Sequence, residues 1–258
     1  MSFRDIFIIS KGTKVIFTIT FSVSVLAVLF AFFYYRNLNR SEDPRIRNAR
    51  AWLAEYDKTT GGVDSYEAFY LLDSAYSVFR SLPDYRSSFE VGLIYNNKCS
   101  ALLMQAIYDT SITESQKRYL LSHSLIYCDS SIGIYRNWIS EWDGLSPAEI
   151  AEKISPGMKE DDEAFRGHNF RKIFKGRIRN ITSARRETPR RLSVSLSNKG
   201  TIYRHLMMPD SSLAYYREAL SLWKDNRTAK SNLNVLLGGE PLKPNLIQSL
   251  FPPDKNRQ

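Results

Sequence analysis

The stretch from Asn198 to Leu222 reads NKGTIYRHLMMPDSSLAYYREALSL and contains the most informative pattern in the chain. The pattern consists of five residues, Gly200, Tyr203, Ser212, Tyr216 and Ala219. They follow one another at intervals of three, nine, four and three positions. Apolar residues recur at helical intervals on both sides of Asp210, and an aspartate at that place can cap a helix. The stretch therefore predicts two helices, the first ending near Met208 and the second beginning at Asp210.

This pattern resembles one tetratricopeptide repeat (TPR), a helix-turn-helix unit of about 34 residues. The resemblance implies that Gly200 and Ala219 let the two helices approach closely. Tyr203 and Tyr216 would then fill the space between them. Lys199 departs from the family, which has an apolar residue at this position. Because stacked hairpins of this kind form a concave binding face, the resemblance implies a scaffold that binds another protein.

Weaker copies of the same spacing occur earlier in the chain. Gly92 and Tyr95 are separated by three residues, as Gly200 and Tyr203 are. The four-then-three spacing occurs at Ala68, Leu72 and Ala75, and again at Ser124, Cys128 and Ser131. We therefore expect an all-α fold, in which about three helical hairpins form a TPR-like right-handed array that ends in a capping helix.

Hydrophobic periodicity after residue 43 is helical, with no alternation long enough for a sheet. The expected main helices are 44–57, 64–82, 86–108, 113–138 and 189–208, then one that begins at 210 and one at 227–237. Asp64 with Glu67 and Thr113 with Gln116 match the capping-box pattern. Pro189 suits the first turn of the fifth helix. We expect the first helix to pair with the second, the third with the fourth and the fifth with the sixth.

Composition divides the chain into six segments. They are an N-terminal tail (1–14), a transmembrane helix (15–35), two TPR-like hairpins (36–139), a basic insertion of loop plus helix (140–187), a C-terminal repeat with its capping helix (188–240) and a flexible tail (241–258). Glycine and proline residues in the insertion predict mostly loop, with helices near 146–154 and 161–182.

Val15 to Tyr35 reads VIFTITFSVSVLAVLFAFFYY and contains no charged residue. As a helix this run is about 31 Å long, enough to cross the hydrocarbon core of a bilayer. It lacks the small-residue cleavage site of a signal peptide, so we expect a single-pass membrane protein. Basic residues flank the run on both sides, and an N-in, C-out orientation in a bacterial inner membrane is the working expectation.

The positive charge of the chain is concentrated between Arg166 and Arg191. Ten basic residues and one acid, Glu187, give this segment the same charge as the whole chain, +9. The candidate binding residues are Arg171, Lys172, Lys175, Arg177, Arg179, Arg185 and Arg186. Three interpretations remain open: a solvated surface balanced by the acidic run 160–163, a site for anionic lipid or an acidic protein, and a nucleic-acid site. Nucleic acid is the least favoured, because no reader motif is present.

Few residues point to catalysis. His123, His168 and His205 are far apart in the sequence, and none has the spacing of a zinc site with Cys99 or Cys128. We expect no catalytic, cofactor-binding or metal-binding residue, and hence no enzyme. Both cysteines lie in apolar helical stretches, which favours buried free thiols.

These features predict a membrane-anchored TPR-like scaffold or adaptor. It would bind a protein partner through its helical-repeat face and contribute to assembly of a membrane or envelope complex. The alternative is a peripheral binder of anionic lipid or nucleic acid, acting through Arg166 to Arg191. Salt separates the two functions, because binding to phosphate groups weakens steeply as salt rises and an apolar contact does not.

Overall fold

A computed structural model describes residues 11–39, 41–59 and 65–243 of the 258-residue chain. The regular elements in these ranges are all helical, so the all-α prediction is confirmed for this part of the chain. Its α-helices are α1 (Lys11–Asn39), α2 (Arg47–Thr59), α3 (Ser65–Ser81), α4 (Phe89–Tyr108), α5 (Glu114–Trp142), α6 (Pro147–Ile154), α7 (Phe170–His205), α8 (Pro209–Leu222) and α9 (Arg227–Leu236).

Helix α1 contains the apolar run. Its segment Lys11–Phe33 is long and apolar enough to span a bilayer, and none of its most apolar window is buried inside the protein. Signal sequences can share this length and composition. Residues 1–10 of the predicted N-terminal tail and residues 244–258 of the predicted C-terminal tail lie outside the described part.

Several helices begin where the sequence predicts. Thr113 and Gln116 form a complete capping box at the start of α5. Helix α6 begins with another, between Ser146 and Glu149. Helix α8 differs, because it begins at Pro209 and Asp210 lies in its first turn instead of capping it. The predicted box at Asp64 lies outside the described residues.

Helix α7 is the main departure from the prediction. It is one continuous helix of 36 residues with Pro189 inside it, where the sequence predicts a break. Thr188 does not cap a new helix, because its Oγ1 donates to the Ala184 carbonyl oxygen at 2.7 Å. Ile181 and Leu192, on either side of the proline, are both buried. Packing of this continuous face outweighs the local cost of proline, and the predicted break between residues 182 and 189 is wrong.

The helices pair as the sequence predicts. Helix α2 contacts α3, α4 contacts α5, and α7 contacts α8. Helix α9 covers α8 and the C-terminal part of α7. Contacts of α3 with α4 and of α5 with α7 join the three pairs into one row.

The predicted repeat residues of the α7–α8 pair lie at its interface. Gly200 is so close to the Tyr216 ring that a Cβ at position 200 would lie 2.7 Å from it. Ser212 Oγ donates to the Gly200 carbonyl oxygen at 2.7 Å. Ser212, Tyr216 and Ala219 are fully buried. Tyr203 instead is only partly buried and stacks on Tyr215, with ring centroids 5.4 Å apart.

The α4–α5 pair contains the same packing unit. A Cβ at Gly92 would lie 2.5 Å from the Tyr135 ring, and Ser131 Oγ donates to the Gly92 carbonyl oxygen at 2.9 Å. Tyr95, like Tyr203 in the other pair, is partly buried and contacts a neighbouring tyrosine edge-on. The sequence pattern aligned Cys128 with Tyr216 of the other pair. In the structure the residue equivalent to Tyr216 is Tyr135, seven residues later, so the predicted alignment is one heptad too early.

Cys128 and Cys99 are buried free thiols, as the sequence predicts. Cys128 Sγ donates to the Ser195 carbonyl oxygen at 3.0 Å, which joins α5 to α7. Its contact with Cys99 and its burial raise the pKa of Cys128, so the group remains a thiol near neutral pH.

Candidate functional site: the basic face of helix α7

Five of the seven predicted binding residues are exposed on α7. They are Arg171, Lys172, Lys175, Arg179 and Arg186, and Arg190 joins them. Successive helical residues are rotated by about 100°, so all six lie within a sector of about 100°. They extend along about 28 Å of the helix. We call these six residues the basic stripe.

The other two predicted residues face away from solvent. The Arg177 side chain is only 3% exposed, and its Nη1 lies 3.1 Å from Glu90 Oε1. Arg185 is partly buried and donates to the carbonyl oxygens of Trp142 and Leu145. Both arginines therefore hold the fold together instead of presenting charge to a ligand, which corrects their assignment as surface binding residues.

The stripe has few acidic neighbours. Arg190 pairs with Glu187 at 3.2 Å. Within the described part of the chain, no carboxylate forms an ion pair with any of four other members: Arg171, Lys175, Arg179 and Arg186. The acidic run 160–163 does not neutralise them, because its ion pairs join Asp162 to Arg45 and Glu163 to Arg166. Four of the six stripe residues thus have no carboxylate partner in the part of the chain that the structure describes.

The N-terminal half of the stripe lies beside the chain that leaves α1. A Cβ at Gly176 would overlap the carbonyl oxygen of Ser41, so only glycine allows α7 to approach this closely. Ser41 is buried and comes two residues after the last residue of α1. Lys172, Lys175 and Arg179 are each within about one helical turn of Gly176. The contact thus brings part of the stripe to the end of the apolar helix.

Arg177 fixes α7 against the turn between α3 and α4. Its guanidinium carbon lies 3.9 Å from the centroid of the Tyr85 ring. Burial lowers the pKa of Arg177, but the charge of Glu90 and the contact with Tyr85 outweigh burial and raise it. Arg50 Nη2 also lies 3.7 Å from Glu90 Oε1. One buried carboxylate therefore joins α2, α4 and α7.

A second buried ion cluster fixes the segment just before α2. Arg45 Nη2 lies 2.8 Å from Asp43 Oδ2 and 2.9 Å from Asp84 Oδ2. Tyr85 OH donates to the same Asp43 oxygen at 3.1 Å. Arg45 Nη1 donates to the Gly157 carbonyl oxygen at 3.0 Å, which ties in the insertion. These bonds hold residues 43–45, and hence Ser41, in a defined place against the helical domain.

A cleft of about 720 Å³ opens beside this cluster. Its charged lining residues are Arg45, Lys153, Lys159, Asp84, Asp161 and Asp162. Three cations and three anions balance each other, and Arg45 and Asp84 are already paired. The cleft therefore favours neither an anion nor a cation.

The end of the helical domain opposite Ser41 exposes apolar side chains. Tyr66, at the start of α3, is 79% exposed, and Tyr108, at the end of α4, is 69% exposed. Met207, in the turn between α7 and α8, is 85% exposed. The antiparallel pairing of the helices puts these ends on the same side of the row. We call Tyr66, Tyr108 and Met207 the distal tip.

Met207 is also held in a strained backbone conformation. Its φ is +59°, in the left-handed region that glycine enters freely and that side chains with a Cβ avoid. The turn depends on this conformation, because the amide of Met208 donates to the Tyr203 carbonyl oxygen at 2.9 Å. A glycine would suit the turn better, because a methionine in this conformation costs about 1 kcal/mol.

Within the described residues, no group of three His, Cys, Asp or Glu side chains is placed to hold a metal ion. Comparison with known proteins supplies no family: no family model, curated protein or solved structure matches the chain.

Two features that position the basic stripe were not predicted from the sequence. Gly176 lies within the basic segment and shows no spacing signal, although a lone glycine in a helix is a general sign of close approach. The Arg177–Glu90 pair joins residues 87 positions apart. No local pattern could have identified Glu90 as the partner of one arginine among ten.

Proposed function

We propose that this protein is a single-pass membrane protein whose helical domain is a TPR-like right-handed scaffold that binds another protein at its distal tip. Helix α1 is the anchor, and the N-in, C-out orientation is part of the proposal. The role is that of an adaptor in assembly of a membrane complex, without catalysis. The exposed apolar side chains of the tip are the observation that carries it.

Tyrosine and methionine are enriched at protein interfaces, where large side chains bury much area for a modest loss of freedom. Tyr66, Tyr108 and Met207 are each exposed, and antiparallel pairing puts the three helix ends from which they come at the same end of the domain. The strained backbone of Met207 adds a second argument, because a residue kept in an unfavourable conformation at an exposed turn is a sign of function. The tip lies at the end far from the anchor, where a partner has access.

The shared packing unit supports the TPR-like part of the proposal. In both the α4–α5 and α7–α8 pairs, a glycine on the first helix contacts a tyrosine on the second. A serine four residues before that tyrosine donates a hydrogen bond to the glycine carbonyl oxygen. Helix pairs that share the same packing contacts stack in a regular way. A regular stack holds the three helix ends of the tip in fixed positions.

Photocrosslinking in the native membrane tests the binding site. A photoreactive phenylalanine at Tyr108 should give a discrete crosslinked species, and the same group at exposed Glu160, near the anchored end, should not. Met207→Gly removes the tip side chain and relieves the strained backbone, so it should weaken the Tyr108 crosslink while raising stability by about 1 kcal/mol.

A Tyr66→Ser variant supplies a second, independent change at the tip and should weaken the same crosslink. Thermal melts of both variants show whether the domain is intact. Equal crosslinking from Glu160, or a Tyr108 crosslink that neither substitution changes, would show that the tip is not the binding site.

A further inference from the structure

We propose that the basic stripe binds anionic lipid headgroups of the bilayer that α1 spans, as a second membrane contact made by the folded domain. This inference rests on the proposed membrane anchor. It assigns the stripe to lipid and leaves the distal tip for the protein partner.

Position supplies the first step. The apolar segment of α1 ends at Phe33, and the helix from there to Asn39 rises about 9 Å, comparable to the depth of the headgroup region. Ser41 comes two residues after α1, and two residues of chain reach at most about 7 Å. Gly176 touches Ser41, and Lys172, Lys175 and Arg179 lie within about a turn of it. The interaction of a cation with an anionic bilayer decays over about 8 Å at physiological salt. The N-terminal half of the stripe is therefore held where this interaction is strong.

Rigidity supplies the second step. The buried pairs of Arg45 with Asp43 and Asp84, and of Arg177 with Glu90, fix the chain after α1 against α7. The backbone that carries the stripe is thus already ordered before it meets the membrane. A site fixed in this way loses less entropy on binding than a flexible basic tail would.

Charge and shape supply the third step. Arg171, Lys175, Arg179 and Arg186 have no carboxylate partner among the described residues, and the stripe is elongated, about 28 Å along one helix face. The proposal therefore has α7 lying along the bilayer surface, where a line of cations faces a plane of headgroups. Nucleic acid fits less well, because the nearby aromatic residues that could stack on bases are used in packing. Phe165 is buried in a core cluster, against which Phe170 and Phe174 are packed.

The test uses the full-length protein reconstituted into vesicles of phosphatidylcholine, alone or with one third phosphatidylglycerol. A donor dye on Ser183→Cys, an exposed position between Arg179 and Arg186, reports energy transfer to an acceptor dye on the lipid headgroups. The native cysteines are buried and should not compete for the dye. Phosphatidylglycerol should raise the energy transfer, and salt at about 0.5 M should abolish the increase.

Two matched variants locate the effect. The stripe variant changes Arg171, Lys175, Arg179 and Arg186 to glutamine. The control variant changes the same number of exposed cations elsewhere, namely Arg118, Arg217, Lys224 and Lys230. The increase should disappear in the stripe variant and remain in the control. Melting curves of both should match the parent, because all eight side chains are exposed.

Each alternative outcome has a clear meaning. Co-flotation of the protein with both kinds of vesicle tests the anchor, and its loss in every variant would overturn the anchor together with this inference. Retained co-flotation with energy transfer that is the same in both lipids, or the same in the parent and the stripe variant, would overturn the inference alone. Stripe-dependent binding of a single-stranded oligonucleotide without the lipid effect would reassign the stripe to nucleic acid.

Discussion

The two halves of helix α7 differ in the charge that they expose and in the polar side chains that they bury, although no break separates them. Residues 170–188 carry five of the six stripe residues on one face, and the other face buries Arg177 against Glu90. Residues 189–205 bury small side chains instead, among them Ser193, Ser195, Ser197, Gly200 and Thr201. The first half borders solvent and the chain after α1, whereas the second half is enclosed by helices.

Hydrogen bonds from the second half show how close its neighbours are. Ser195 Oγ donates to Asn96 of α4 at 2.8 Å, and Ser193 Oγ donates to the Ala219 carbonyl oxygen of α8 at 2.7 Å. Small side chains permit helices to approach, and their hydroxyl groups satisfy polar atoms inside the contact. A long helix can thus be a core element at one end and a charged surface at the other. Three changes test this contrast, from the largest expected effect to the smallest.

The largest effect is expected at Arg177, the buried charge of the first half. Arg177→Ala should lower the free energy of unfolding by about 3–5 kcal/mol, because Glu90 is then left in the interior with only the more distant Arg50. Denaturant titration followed by circular dichroism measures the loss.

The double variant Arg177→Met with Glu90→Leu is the matched control. It removes both charges, so it should recover most of the lost stability. An Arg177→Ala loss below about 1 kcal/mol would show that the pair does not hold the two segments together.

The next effect is expected at Gly200, the close approach of the second half. Gly200→Leu should destabilise the domain by about 3 kcal/mol, because even its Cβ would overlap the Tyr216 ring. Gly133 is the control, because it is an exposed glycine of α5 and a Cβ added there would have no atom within 4 Å. Gly133→Ala should stabilise by about 0.5–1 kcal/mol through helix propensity. Equal melting temperatures of Gly200→Leu and the parent would refute the repeat assignment.

The smallest effect is a pH dependence at His205, where the second half ends. Burial, with the nearby charges of Arg204 and Lys117, lowers the pKa of His205. The unfolded chain therefore binds a proton more readily near its ordinary pKa of about 6.5, so stability should fall as the pH drops from 7 through that value. His205→Gln should flatten this part of the stability profile. An unchanged profile in His205→Gln would place the titrating group elsewhere.

Local patterns predicted much of the fold. The capping box at Thr113 and the helix pairings are correct, because both depend on neighbouring residues and on short connections. The break at Pro189 is wrong, because burial of Ile181 and Leu192 on one continuous face outweighs the proline. The repeat in α5 was placed one heptad early, because four-then-three spacing recurs on any helix with a small-residue face.

The candidate site was predicted as a segment but not as a surface. Ten basic residues between Arg166 and Arg191 identify where the charge is concentrated, and nothing in their order separates Lys175, which is exposed, from Arg177, which is buried. The distal tip was not anticipated, because its members come from separate helix ends. The strained φ of Met207 has no sequence signature at all.

By itself the sequence determined most of the helices, the apolar run of α1 and the total positive charge of the 166–191 segment, since these follow from local propensity, composition and counting. Only the tertiary structure decided which cations face solvent. A rotation of about 100° per residue distributes adjacent basic residues around the helix. One of them, Arg177, forms a buried ion pair with Glu90, which is 87 positions away in the sequence. The tertiary structure also decided that the exposed cations of the basic stripe begin beside Ser41, because Gly176 has no Cβ that would prevent this contact.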